Sequence, residues 1–99
     1  MEISVYESNG DGQKIARVYF GRAPRFVKTW KSVYSAALET ENNVLALGEN
    51  LIEFVGSKRL NYRDFTPNFS DAKKGDLGIG FSGIAAEELS GLVKKTFNL

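Results

Sequence analysis

Two stretches near the N-terminus alternate apolar and polar side chains. Residues 2–7 place Ile3 and Val5 between polar neighbours, and residues 14–20 alternate in the same way. This period of two is typical of strands that bury one face. The intervening residues 8–12 contain asparagine and glycine, which tolerate the backbone of a tight turn. The sequence therefore predicts an N-terminal β-hairpin.

A stripe of apolar residues with helical spacing follows the hairpin. Its members recur at intervals of three and four residues, which is the pattern of one buried helix face. They are Phe26, Val27, Trp30, Val33, Tyr34, Ala37 and Leu38. Pro24 suits the first turn of a helix, where its missing N–H would have had no partner. We predict a helix from residue 24 to about residue 40, with Trp30 in the core.

The next segment predicts three short strands. Residues 44–47 and 51–55 are apolar runs separated by Gly48-Glu49-Asn50, which favours a hairpin. A single helix over residues 44–55 is the competing prediction, because short apolar runs cannot be assigned by their period alone. Residues 59–65 alternate again and predict a third strand, which Pro67 would end.

The C-terminal part predicts a fourth short strand and a closing helix. The strand covers residues 77–81 and the helix residues 83–97, with Ser82 as the N-cap. The apolar stripe of the helix consists of Ala85, Leu89, Leu92, Val93 and Phe97. Ser90 and Gly91 are small enough for a second helix to approach, which suggests a dimer contact.

These elements predict an α+β fold, with a twisted antiparallel sheet built from the N-terminal hairpin plus four short strands, and two packing helices. Ninety-nine residues suit a single domain, residues 1–99, with one modest core. In this scheme residues 1–43 supply the hairpin and a basic amphipathic helix. Residues 44–99 supply the four strands and the C-terminal helix.

Composition narrows the function. The chain contains no cysteine and no histidine, so it lacks disulfides, thiolate metal sites and the usual acid or base near neutral pH. Asp64, Asp71 and Asp76 are scattered, without a spacing that aims two carboxylates at one point. Residues 78–83 match G-x-G-x-x-G, but no second parallel strand and no ribose-binding acid follow. We expect a non-enzymatic protein without metal or cofactor.

The chain also lacks the pattern of a membrane or secreted protein. Its first residues do not form a signal peptide, and no segment approaches 18 apolar residues. We therefore expect a cytoplasmic protein that does not enter a membrane.

Charge is distributed unevenly, although the net charge is only +1. Residues 14–31 carry cations without an acid, and residues 39–53 carry acids without a base. The cations on and before the predicted helix form a secondary basic patch, which consists of Arg22, Arg25, Lys28 and Lys31. This patch favours one interpretation of the function, a small protein-interaction or inhibitor module that binds an acidic partner.

Cations and aromatic residues lie side by side between residues 54 and 74. Single-stranded nucleic acid is bound by positive grooves that follow its backbone and by aromatic faces that stack on its bases. The candidate residues are Phe54, Lys58, Arg59, Arg63, Phe65, Lys73 and Lys74. Alternation along residues 59–65 places Arg63 and Phe65 on one side of the strand and Tyr62 on the other, and we favour the Arg63 side. The simpler alternative is a sheet with buried aromatics and solvated cations.

Residues 45–97 contain four short motifs: Phe54-Val55-Gly56-Ser57-Lys58, Arg63-Asp64-Phe65, Lys73-Lys74 and Gly78-Ile79-Gly80-Phe81-Ser82. Together these motifs resemble the transcriptional positive cofactor four family of single-stranded DNA-binding coactivators. The resemblance implies a homodimer whose curved antiparallel sheets hold unpaired DNA and whose helices form the dimer contact. It implies Phe54, Lys58, Arg63, Lys73 and Lys74 as binding residues. We therefore expect binding of single-stranded DNA, or of RNA, in transcription, replication or recombination.

Overall fold

Four strands and two helices make up the described part of the chain. The computed structural model describes residues 1–8, 15–21, 29–39, 43–60 and 77–99. Its elements, in chain order, are β1 (Glu2–Ser8), β2 (Ile15–Phe20), β3 (Trp30–Ala37), α1 (Val44–Val55), a 3-10 turn (Ser57–Arg59), β4 (Leu77–Ser82) and α2 (Ala86–Phe97). The predicted α+β fold, with an antiparallel sheet and two helices, is confirmed.

The strands form one antiparallel sheet in the order β3-β1-β2-β4. Val5 of β1 lies opposite Val18 of β2, and Val18 lies opposite Ile79 of β4. The register thus aligns apolar residues across the sheet on one face. The predicted hairpin and the predicted strand at residues 77–81 are both confirmed.

The core lies between that face and the two helices. Helix α2 packs across β1, β2 and β3, while α1 packs on β4 and against α2. The fully buried side chains that fill the space are Ile3, Val5, Val18, Leu51, Phe81, Leu89 and Val93. Near the C-terminal end of α2, the rings of Phe20 and Phe97 meet edge to face with centroids 5.8 Å apart. One apolar layer therefore joins every named helix and strand.

The predicted helix over residues 24–40 is wrong for Trp30–Ala37, which form strand β3. A bulge explains the misleading period. Val5 pairs with Tyr34 while the next residue of β1, Tyr6, pairs with Ser32, so Val33 is an extra residue in β3. The bulge leaves Trp30, Val33 and Tyr34 partly buried, at the spacing of a helix face. Trp30 therefore lies outside the apolar core between the sheet and the helices, and residues 24–28 lie outside the described part.

The two strands predicted at residues 44–47 and 51–55 are also wrong, and the competing helix is confirmed as α1. Asn43 caps the start of this helix, because its side-chain oxygen accepts a hydrogen bond from Leu45 N at 3.0 Å. Gly48 is no turn residue either. It is buried in the middle of α1, where the helix rests on β4.

A glycine redirects the chain at the end of α1. Gly56 has φ +103°, a conformation that side chains with a Cβ rarely adopt, and its N–H bonds to Ile52 O at 2.8 Å. Arg59 belongs to the turn that follows and not to the predicted strand at residues 59–65. Leu60 then forms an antiparallel bridge with Phe81 at the edge of β4. Residues 61–65 lie outside the described part.

The closing helix is confirmed, but its start differs from the prediction. Ser82 is still in β4, and the N-cap is Ala85, which makes no side-chain hydrogen bond. Ser90 is buried against its own chain and donates to Ala86 O at 2.8 Å, whereas the position of a Cβ on Gly91 is open space. Neither described helix has the length and apolar character needed to cross a lipid bilayer.

Candidate functional site

The C-terminal end of α1 presents an aromatic ring and a cation to solvent. Phe54 is 50 % exposed, more than any other large apolar side chain in the described ranges. Lys58 is exposed in the 3-10 turn, immediately beyond Gly56. Because α1 ends at Val55 and the chain turns at Gly56, both side chains belong to the same end of the helix. We call Phe54, Lys58 and the neighbouring Arg59 the turn site.

Arg59 is held by an acid of the other helix. Its Nη1 lies 3.4 Å from Oε1 of Glu88, in the first turn of α2. Both side chains are about half exposed, at 42 % and 56 %, so water screens their attraction. The pair ties the 3-10 turn to the start of α2.

Two acids limit the turn site on the side of α1. Glu49 and Glu53 are exposed and lie one helical turn apart. They form an acidic ridge beside the face that carries Phe54. The exposed charges of α1 near this end are thus negative, whereas the cations of the turn site lie in the 3-10 turn.

Only part of the predicted interface can be placed. The turn site brings together Phe54, Lys58 and Arg59, but Phe54 projects from a helix and not from a sheet face, so that part of the prediction is wrong. The candidate residues outside the described part are Arg22, Arg25, Lys28, Arg63, Phe65, Lys73 and Lys74. Lys31 belongs to strand β3 instead of a basic helix, and its Nζ lies 3.9 Å from Glu7 Oε1.

The sheet face away from the helices carries a group of residues that we call the outer-face cluster: Tyr6, Arg17, Tyr19 and Trp30. The Arg17 guanidinium lies over the Trp30 ring, 4.1 Å from its centroid. Its Nη1 also donates to Tyr19 Oη at 3.4 Å. Tyr6 and Tyr19 meet edge to face, with centroids 5.6 Å apart. Cation and aromatics therefore stabilise each other here.

Glycines of β4 lie opposite two members of the cluster. Arg17 lies opposite Gly80 and Tyr19 opposite Gly78, and both glycines are buried. Strand glycines leave room for a bulky neighbour to cover the backbone. The sequence signal was present, since the two glycines are spaced by two in a strand, but their partners could not be known without the register.

Burial decides what the outer-face cluster can do. Arg17 is 7 % exposed and Tyr19 only 2 %, so neither offers an open surface to a base. Burial raises the pKa of the Tyr19 phenol, and the hydrogen bond and charge of Arg17 oppose this only in part. The cluster therefore acts as a second, polar core of the sheet.

The described residues define the chain as an α+β protein with a helix-covered antiparallel sheet and a small exposed site of one aromatic and two cations. In the described ranges, no group of three acidic side chains is placed to hold a metal ion. Comparisons with protein families, curated proteins and solved structures find no match.

Proposed function

We propose that this protein binds single-stranded nucleic acid, with DNA favoured, and that it does so without catalysis. The observation that carries the proposal is the joint exposure of Phe54 and Lys58 at one end of α1. The chain continues from this point into the stretch that contains Arg63, Phe65, Lys73 and Lys74. The turn site would then be the start of a longer binding surface.

Each residue of the turn site has a distinct part in the proposal. Phe54 offers a face on which an unpaired base can stack, which is worth about 1–3 kcal/mol per base. Lys58 and Arg59 attract the phosphates on either side of that base. The acidic ridge of Glu49 and Glu53 repels the phosphates and keeps the strand on the cationic side.

Single strands suit this arrangement better than duplexes. In a duplex each base is already stacked and paired, so its face is not available to a side chain. An unpaired base can turn outwards and cover Phe54. A preference for unpaired strands follows from this single aromatic contact, because the cations attract both forms.

The proposal also covers the oligomeric state and the cellular compartment. The protein would act in the cytoplasm as a homodimer, in the manner of a single-stranded DNA-binding coactivator. The open space beside Gly91 on α2 supports close approach of a second helix. Sedimentation of the wild type and of Gly91→Leu would test this, since leucine should shift the protein towards monomer. Identical monomeric sedimentation of both would contradict the homodimer.

Fluorescence anisotropy tests nucleic-acid binding directly. A labelled oligothymidylate should bind more tightly than a duplex of the same length, and affinity should fall steeply as salt rises. Lys58→Gln and Phe54→Ala should each weaken binding to the oligothymidylate, by about fivefold or more. Lys95→Gln is the matched control, because it removes the same charge near the far end of α2, about 10 Å along the helix axis from Glu88.

The two substitutions should also differ from each other. Lys58→Gln should reduce the salt dependence, whereas Phe54→Ala should leave it unchanged because no charge is lost. Equal binding of both DNA forms, or equal effects of Lys58→Gln and Lys95→Gln, would contradict the proposal.

A further inference from the structure

We propose that Glu88 regulates the turn site by occupying Arg59 until a phosphate displaces it. The inference rests on the proposed function and names the control of that same site. Its basis is the ion pair between Arg59 Nη1 and Glu88 Oε1, at 3.4 Å. A carboxylate and a phosphate offer a guanidinium the same kind of acceptor oxygens, so one can replace the other.

The two partners of this pair differ in how firmly they are held. Glu88 lies in the first turn of α2, between the buried residues Ala86 and Leu89, and the helix dipole favours an acid there. Leu89 N bonds to Ala85 O at 2.9 Å, so this turn is closed. Arg59 sits in a short 3-10 turn that buries none of its residues. The exchange would therefore move the Arg59 side chain and leave the helix in place.

Exposure makes the exchange easy. Each side chain is about half open to water, so phosphate oxygens can reach the guanidinium before the carboxylate leaves. Arginine binds phosphate through two parallel N–H groups, whereas only Nη1 is bonded to Glu88 here. A phosphate can therefore accept two hydrogen bonds from the guanidinium, whereas Glu88 accepts one.

Neutralising Glu88 should accordingly strengthen binding. Glu88→Gln is expected to lower the Kd for a labelled oligothymidylate by about two- to fivefold, the factor that corresponds to a half-exposed ion pair. The slope of log Kd against log salt should stay close to that of the wild type, because the same number of phosphates is contacted in both complexes.

Glu87→Gln is the matched control. Glu87 precedes Glu88 on the same helix turn, is exposed, and forms no ion pair with the described residues. Glu87→Gln therefore removes the same charge at nearly the same distance from the turn site. Its effect on Kd should be smaller, and its salt slope should equal that of the wild type.

A double-mutant cycle separates the ion pair from general repulsion. In an Arg59→Gln background, Glu88→Gln should improve binding no more than Glu87→Gln does. If Glu88→Gln and Glu87→Gln strengthen wild-type binding equally, the regulation by Glu88 is wrong while the binding function stands. If the wild type does not bind the oligothymidylate at all and neither variant restores binding, both the function and its regulation are wrong.

Discussion

Gly48 of α1 lies directly over Leu77 of β4. A Cβ atom built on Gly48 would come within 2.6 Å of Leu77 Cδ2 and 3.1 Å of Ile79 Cδ1, and Leu77 and Ile79 are both buried. Helix and strand are therefore as close at this point as a glycine permits. Within α1, the absence of one side chain sets the distance between the helix and the sheet.

Gly48→Ala should destabilise the fold. Alanine adds about 1 kcal/mol of helix propensity, but overpacking a filled core costs about 1–3 kcal/mol, and Leu77 has little room to move. We expect a net loss of about 1 kcal/mol, measured as a lower urea midpoint with an unchanged slope.

Gly91→Ala provides the control for this prediction. Gly91 is also inside a helix, but a Cβ atom added there would meet nothing within 4 Å, so alanine should stabilise the fold by about 0.5–1 kcal/mol. Both variants should be compared at a concentration at which the wild type sediments as one species. Equal effects of the two substitutions would contradict close packing at Gly48.

Alanine substitutions at Leu51 and Phe54 should separate effects on stability from effects on binding. They lie one turn apart on α1, but Leu51 is fully buried and Phe54 is half exposed. Leu51→Ala should cost about 2–5 kcal/mol of unfolding free energy. Phe54→Ala should cost less than about 1 kcal/mol and yet weaken binding of the oligothymidylate. Thermal melts and anisotropy on the same samples check this, and a large stability loss for Phe54→Ala would show that its ring has a structural role.

The stability of the fold should fall in alkaline solution because of Tyr19. Its raised pKa means that the folded state holds the phenolic proton more tightly than the unfolded chain. The associated stability is complete below about pH 10 and is lost as the pH rises through the folded-state pKa. The phenylalanine in Tyr19→Phe cannot ionise, so the stability of this variant should lack the part that depends on the phenolic proton.

The difference in stability between Tyr19→Phe and the wild type should therefore change with pH. Near pH 8, Tyr19→Phe should be less stable than the wild type by about 1 kcal/mol, because it cannot accept the hydrogen bond from Arg17. Above pH 10 the difference should shrink. Urea unfolding at a series of pH values measures it, and a constant difference across this range would count against a raised pKa.

Arg17 should contribute more to stability than an exposed cation in a similar contact. Arg17→Met removes the buried contact with Trp30 and the bond to Tyr19, and should cost on the order of 2–4 kcal/mol. Trp30 is the one tryptophan of the chain, so its emission should change as well. Lys94→Met is the control, because Lys94 lies exposed over Tyr34 at 4.7 Å. It should cost about 0.5–1 kcal/mol; equal costs would refute a special role of the outer-face cluster.

Sequence patterns predicted the elements whose period is undisturbed. Strands β1, β2 and β4 and helix α2 have a clean alternation or stripe, and their types were correct. Strand β3 was missed because one bulged residue, Val33, changes a period of two into helical spacing. Helix α1 was predicted only as the alternative to a hairpin. Gly48 favours a turn in the sequence, and its close contact with Leu77 is visible only in the structure.

The candidate site depends on facts that a linear pattern does not contain. The exposure of Phe54 follows from which face of α1 meets the sheet, and the pairing of Arg59 with Glu88 joins residues far apart in the chain. The outer-face cluster was missed for the same reason. An arginine in an alternating strand is usually solvated. Only the strand order shows that Arg17 lies over the Trp30 ring.

Strand β2 receives its two neighbours at very different times during synthesis. Strand β1 precedes it directly, but Phe20 pairs with Leu77 of β4, and α2, which covers β1 to β3, follows later still. A nascent chain therefore carries Ile3 and Val5 on the ribosome without the helix that will bury them. Pairings this distant in sequence also slow folding. Protection of these first strands by a chaperone would matter most before α2 emerges.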